Sequence, residues 1–171
     1  MTLDVAVFQW IHGFSGQLAA LDAAGVFFAQ YAIAALPFFI FFLPASKRKS
    51  TFLFCISSAL VALFVNLIIG ATFFRPRPAI SLNVDPLISL LVNAKSFPSD
   101  HTAIAFSFAF SLLMQSRVVG ITALTLAGLI GFSRIFVGVH YPFDILGGML
   151  VGIASAALLW RTYRRSRRVR V

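Results

Sequence analysis

A chain of 171 residues that is 60% hydrophobic and 11% charged is not an ordinary soluble domain, which is about 45–50% apolar and about 25% charged. With a mean hydropathy of +0.94, residues 1–171 read as one membrane-embedded domain. The formal charge of +9 does not mark a nucleic-acid binder, because six of the fourteen basic residues (Arg161, Arg164, Arg165, Arg167, Arg168, Arg170) fall in the last eleven positions, and Lys47-Arg48-Lys49 separates two apolar runs. Basic clusters placed in this way flank membrane spans and face anionic headgroups.

The start, Met-Thr-Leu-Asp, lacks a basic n-region, so no cleavable secretory signal is expected. In residues 1–20, Val7, Phe8, Ile11, Phe14 and Leu18 recur at helical spacing, with Gln9 and His12 on another side. This predicts an amphipathic helix at the outer interface, with a sixth, shorter span as the alternative and His12 as an interfacial polar residue. A span needs roughly 20 apolar residues. Segments near 23–43, 51–74, 101–116, 118–139 and 143–160 approach that length. The expected fold is therefore an all-α integral membrane helical bundle of five to six transmembrane helices. The lone cysteine, Cys55, sits in an apolar run. It excludes an intrachain disulfide or thiolate metal cluster and reads as a buried, inert thiol. Gly148 and Gly152, four apart in the last span, predict a close helix approach.

Residues 75–100 form the one long polar connection. Arg75-Pro76-Arg77-Pro78 cannot continue a helix, and Pro86 to Val92 suggests a short interfacial helix. Loops of this length are often functional. Placing the basic tail, residues 161–171, in the cytoplasm also puts Lys47-Arg48-Lys49 and Arg117 there. All five acidic residues (Asp4, Asp22, Asp85, Asp100, Asp144) then lie toward the other side, and the 75–100 loop becomes an outer active-site loop.

Polar and ionisable groups at membrane depth are functional candidates. His140 and Asp144 are four apart with Pro142 between them, so a helix starting near Tyr141 lets the carboxylate reach back to the imidazole. That contact fixes the tautomer and leaves the other ring nitrogen as nucleophile or base. Ser133 and Arg134 end the preceding span. Ser99, Asp100 and His101 open the third span, where backbone amides would face an anion. Arg75, Arg77 and Arg134 could clamp phosphate oxygens. Each signal alone has a bland reading, since arginine–proline pairs often end spans and a lone histidine is usually an ordinary polar residue. Their convergence on one membrane face is harder to produce by chance.

The pattern Ser-Arg-x5-His-x3-Asp, preceded by Pro-Ser-x-His and an Arg-Pro element, resembles the phosphatidic acid phosphatase type 2 superfamily over roughly residues 66–150. Within it the chain is most similar to bacitracin-resistance type undecaprenyl-diphosphate phosphatases. The resemblance implies that His140 is the nucleophile that forms a phosphohistidine, that Asp144 orients it and that His101 protonates the leaving oxygen. It implies that Arg77, Ser99 and Arg134 bind phosphate, and that no metal or other cofactor takes part. Two positions depart from the pattern: Gly70 stands where the family has lysine, with Arg75 or Lys95 as substitutes, and Asp100 replaces a common glycine, either to favour protonated His101 or to cap the helix.

The expected activity is removal of phosphate from a membrane lipid at the outer face of a bacterial inner membrane, most simply undecaprenyl diphosphate to undecaprenyl phosphate. The alternatives are phosphatases for phosphatidylglycerophosphate, phosphatidic acid or lipid A phosphates. A small transporter or channel, or an inactive structural protein, would belong to a different class.

Overall fold

The computed structural model describes residues 2–89 and 95–168, with side chains as far as Arg164. Among these residues there are seven α-helices and one 3-10 helix, and no strand beyond an isolated Pro76–Lys95 bridge.

Helix α1 (Leu3–His12) begins at Thr2, whose side chain accepts from Val5 N at 3.5 Å, and has Asp4 in its first turn. Its ten residues span about 15 Å, half of a hydrocarbon core of about 30 Å, so the alternative of a sixth span does not hold. Its inward face is formed by Asp4, Phe8 and Ile11, while Trp10 is 69% exposed. It packs on α6 and α7.

The predicted 23–43 span is instead a broken pair. Helix α2 (Ala19–Gln30) and the 3-10 helix Ala32–Phe42 meet at an angle of 64°. Pro37 lies inside the second piece, where it cannot donate a backbone hydrogen bond and its ring crowds the preceding turn. The free carbonyls at its end are met by Arg48, which donates to Phe41 O (2.8 Å) and Leu43 O (3.0 Å).

Helices α3 (Ala45–Thr72), α6 (Arg117–Phe136) and α7 (Pro142–Arg168) are long and apolar enough to cross a membrane. The broken pair makes a fourth crossing if it counts as one. Helix α5 (Asp100–Leu113) has only 14 residues and lies inside the bundle, against α3, α6, α7 and the 3-10 helix. Its central position explains its shortness: its neighbours cover it, so it need not match the bilayer. A Cβ at Gly152 would collide with Ala103 O, and one at Gly148 would come within 2.5 Å of Ser99 O, so these glycines let α7 and α5 pack backbone to backbone.

The described part of the predicted 86–92 helix, residues 86–89, is not helical, and residues 90–92 lie outside the described residues. Instead, one turn of helix, α4 (Pro78–Ser81), follows the Arg-Pro element. Leu87 N bonds Val137 O at 3.0 Å, which ties this loop to the turn between α6 and α7. Gly138 makes that turn at φ +87°, a left-handed conformation that suits glycine.

The two ends of the bundle differ. Tyr163 stacks on Phe54 (4.6 Å) and bonds Ser50 Oγ (3.3 Å), so the end of α7 lies beside the start of α3 with its Lys47-Arg48-Lys49. The Arg-Pro element and the starts of α5 and α7 meet at the opposite end.

Candidate active site

Four helix ends build the site: the end of α3, the start of α5, the end of α6 and the start of α7. His140 is buried (3% exposed) in the turn before α7, and Asp144 is fully buried one turn into it. Asp144 Oδ2 lies 3.6 Å from His140 Nδ1, slightly beyond hydrogen-bond range. Ser96 closes the gap: its Oγ donates to Asp144 Oδ2 at 2.5 Å and lies 3.5 Å from His140 Nδ1. Tyr141 N also donates to Asp144 Oδ2, at 2.7 Å. The other carboxylate oxygen, Oδ1, accepts from Arg75 Nη1 at 3.0 Å.

Burial pushes the His140 imidazole down from the ordinary 6.5 to about 4; Asp144 works against that, and the charges of Arg134 and Arg77 add to it. The ring is therefore neutral near pH 7. Burial also loosens the hold of Arg77 on its proton, while Asp100 and Asp144 strengthen it. An arginine remains charged under such shifts.

Arg77, Arg134, Asp100 and His140 are all near enough to act electrostatically on His101. Arg77 donates to Lys95 O (3.1 Å) and Val139 O (3.5 Å). Arg134 donates from Nη1 to Ala29 O at 3.0 Å, a carbonyl in the last turn of α2, where regular helical partners run out. Its Nε is buried and has no hydrogen-bond partner among the described residues. Ser99 stands at the N-cap position of α5 without a side-chain capping bond; its Oγ accepts from Thr102 Oγ1 (3.0 Å), and its backbone N–H donates to Asp144 O (3.0 Å).

Other residues singled out from sequence have partners of their own. The Ser133 hydroxyl donates back within α6 to Leu129 O at 2.7 Å. Asp100 is not the cap of α5; its Oδ1 accepts from Asn66 Nδ2 (2.8 Å) and Lys95 Nζ (3.2 Å). Arg75 is held between Asp144 and Asp4 and stacks on the Tyr141 ring, 3.9 Å from its centroid. Lys95 runs across Gly70 with its ammonium also near Asn66 O (3.3 Å). His12 Nδ1 lies 2.9 Å from Phe136 O, and its ring stacks on Phe8. Cys55 is buried, with Sγ 3.9 Å from Phe108 O. Among the described residues, no three His, Cys, Asp or Glu side chains gather as a metal site.

Three participants were not singled out from sequence: Asp4, Ser96 and Tyr141. Asp4 had a readable signal, as a lone acid in an apolar helical stretch. Ser96 and Tyr141 had none, because a serine before Phe-Pro and a tyrosine before proline are common loop residues.

Residues 51–168 match the family model described as the PAP2 superfamily. The chain belongs to the PAP2 superfamily. It is 34% identical to undecaprenyl-diphosphatase BcrC of Bacillus subtilis (strain 168), over 93% of this chain and 83% of that protein. It is 31% identical to the bacitracin transport permease protein BcrC of Bacillus licheniformis, over 94% of this chain and 80% of that one. Among solved structures it resembles Aquifex aeolicus LpxE, with a TM-score of 0.76 and 29% identity over 94% of this chain and 96% of that one. This PAP2 chain is a multi-pass membrane enzyme of the lipid phosphatase class.

Proposed function

We propose that the enzyme hydrolyses undecaprenyl diphosphate to undecaprenyl phosphate and inorganic phosphate through a phosphohistidine, without a metal ion. The observation that carries this reading is a buried His140 beside Asp144 and Ser96, with its backbone N–H on Arg134 O and with Arg77 on the neighbouring Val139 O. A proton on Nδ1, facing the carboxylate, leaves the Nε2 lone pair to attack phosphorus. The P–O bond to the lipid phosphate breaks as the N–P bond forms, and the departing oxygen takes a proton from His101. Burial and the Arg134 charge outweigh Asp100 and hold that ring neutral before substrate binds, so its proton has to be gained when the anionic substrate offsets the arginine charges. Water then attacks the phosphohistidine while His101 accepts a proton from it, and the N–P bond breaks to release phosphate. Phosphoryl transfer depends mainly on positioning and on charge stabilisation. The unpartnered Nε of Arg134, together with Arg77 and the first-turn amides of α5, can supply both.

Lys95 is the better substitute for the lysine absent at position 70, because its ammonium lies directly over Gly70, whereas both ends of the Arg75 guanidinium are taken by carboxylates. Ser99 contributes through the start of α5. Ser133 serves to shape the end of α6. We read the site as extracytoplasmic, in a bacterial inner membrane, because Lys47-Arg48-Lys49 at the start of α3 and Arg161 and Arg164 near the end of α7 lie at the opposite end of the bundle and basic clusters favour the cytoplasmic side. There, each buried methylene, worth about 0.8 kcal/mol, keeps the polyprenyl chain in the bilayer beside the site.

A transport reading has one specific support, the name of the Bacillus licheniformis relative, a bacitracin transport permease protein. Charges spread through the membrane depth would favour it. The buried charged side chains described here, Asp4, Arg134 and Asp144, gather instead at one end.

The test is phosphate release by purified protein from undecaprenyl diphosphate, phosphatidylglycerophosphate, phosphatidic acid and a lipid A phosphate, side by side. The highest kcat/KM is expected on the polyprenyl diphosphate; a clear preference for another of these lipids overturns the substrate assignment.

A further inference from the structure

The geometry points to Asp4, in the first turn of α1, as a positioning residue that holds His140 in attacking position through Arg75 and Asp144. This rests on the reading of His140 as nucleophile. Asp4 lies outside the 51–168 segment that matches the family model, and amphipathic packing gives no reason for it: it is a carboxylate, 4% exposed, between the helices of an apolar bundle. A buried carboxylate is stable only when it is paired and hydrogen-bonded.

Its two oxygens do two jobs. Oδ2 accepts from Arg75 Nη2 at 2.6 Å, and Arg75 Nη1 donates to Asp144 Oδ1 at 3.0 Å. Oδ1 accepts from Phe143 N at 2.9 Å. Phe143 is the second residue of α7, so its amide is one of those a helix start leaves without an internal partner. Asp4 therefore caps, from another helix, the turn that carries Asp144, and fixes the guanidinium that grips the same carboxylate. Arg75 is clamped from below by the Tyr141 ring (3.9 Å to the centroid), and the Tyr141 hydroxyl is anchored to Ser81 Oγ at 2.6 Å.

The chain of contacts runs Asp4, Arg75, Asp144, then Ser96 and His140. Asp144 thus has each oxygen assigned: Oδ1 to Arg75, and Oδ2 to the His140 side with Ser96 and Tyr141 N. If Asp4 is removed, Arg75 loses its counter-anchor and can rotate away or pull Oδ1 with it, turning the carboxylate that orients the imidazole. Misplacing a reacting group by about 1 Å can reduce the rate about 10²-fold.

Asp4 could instead simply fasten α1 to the bundle, and two readouts separate these roles. In Asp4→Asn, which keeps the volume and an acceptor for Phe143 N, kcat should fall about 10²-fold with KM changed by less than about twofold. Arg75→Gln should do the same, and the double variant should be no worse than either single one, because both act on one carboxylate. Independently of turnover, the ring 15N resonances of His140 in substrate-free, detergent-solubilised protein should move in Asp4→Asn. An unmoved His140 ring overturns the assignment, as does an unchanged kcat or an effect confined to KM in an active enzyme. Should the wild type release phosphate from none of the lipids offered, the functional reading fails while the ring shift still decides on the brace. Should Asp4→Asn not accumulate as folded protein, Arg75→Gln carries the same expectations and the same contrary outcomes.

Discussion

The Lys95 side chain lies against Gly70, so closely that a Cβ added to that glycine would sit 2.8 Å from the Lys95 ammonium nitrogen and 2.5 Å from its Cε. The cation thus occupies the space into which a side chain at position 70 of α3 would project. Asn66 O and Asp100 Oδ1 hold it there, at 3.3 Å and 3.2 Å.

Lys95→Ala should therefore lower kcat/KM about 10–100-fold, the effect of removing one charge-assisted contact. Gly70→Ala should also impair the enzyme, because the methyl group displaces the lysine chain. Gly70→Lys combined with Lys95→Ala should recover part of the loss. Steady-state kinetics on the four proteins checks this, and a double variant no better than Lys95→Ala contradicts it.

Asp144→Asn should lower kcat by about 10⁴, as expected when the partner that fixes a catalytic imidazole's tautomer is neutralised. The carboxylate accepts from Ser96, Tyr141 N and Arg75, so an amide must turn an NH₂ toward at least one donor. Single-turnover phosphate release measures the chemical step directly, and a rate within about tenfold of wild type removes Asp144 from this role.

Arg134→Lys should keep the charge and lose the function. Arg134 uses Nη1 on Ala29 O and leaves a buried Nε without a partner among the described residues, and lysine cannot reproduce that fork. A fall of about 10–100-fold in kcat/KM is expected, with the thermal midpoint measured alongside. Wild-type kinetics would show that Arg134 does not bind phosphate.

His140 should titrate far below an ordinary histidine. Burial lowers its value to about 4 from 6.5. Protonation is disfavoured in the folded protein, so the ring stays neutral as pH falls through 6.5 and gains its proton only near 4. Histidine-labelled protein, compared with His140→Ala to assign the signal, should show a neutral His140 ring at pH 5.5. A ring half protonated at pH 6.5 or above contradicts the environment described.

Much of this architecture was legible in the sequence because membrane depth makes polar residues conspicuous. His140, Asp144, Arg134, Arg77 and His101 stood out, and the structure puts them at helix ends on one side of the bundle, with His140 beside Asp144, its N–H on Arg134 O, and Arg77 on Val139 O. The close approach marked by Gly148 and Gly152 was readable for a similar reason, since a small side chain every fourth residue has a direct steric meaning. What stayed hidden depended on tertiary partners. The break after Gln30 depends on how α2 and the following 3-10 turn pack, and hydropathy alone reads that stretch as one run. Arg75 looked like Arg77 in sequence, and only the two carboxylates at 2.6 Å and 3.0 Å distinguish them. The brevity of α1 was hidden by apolar residues that continue beyond His12.

The most direct test of the central claim uses purified wild-type protein and His140→Ala, incubated with undecaprenyl diphosphate labelled in its terminal phosphate, in excess chelator. The wild type should release phosphate and, when quenched during turnover, carry acid-labile label on a histidine, while His140→Ala should do neither. Phosphate release at the wild-type rate by His140→Ala, or wild-type turnover that stops in chelator and returns with magnesium, would contradict the account.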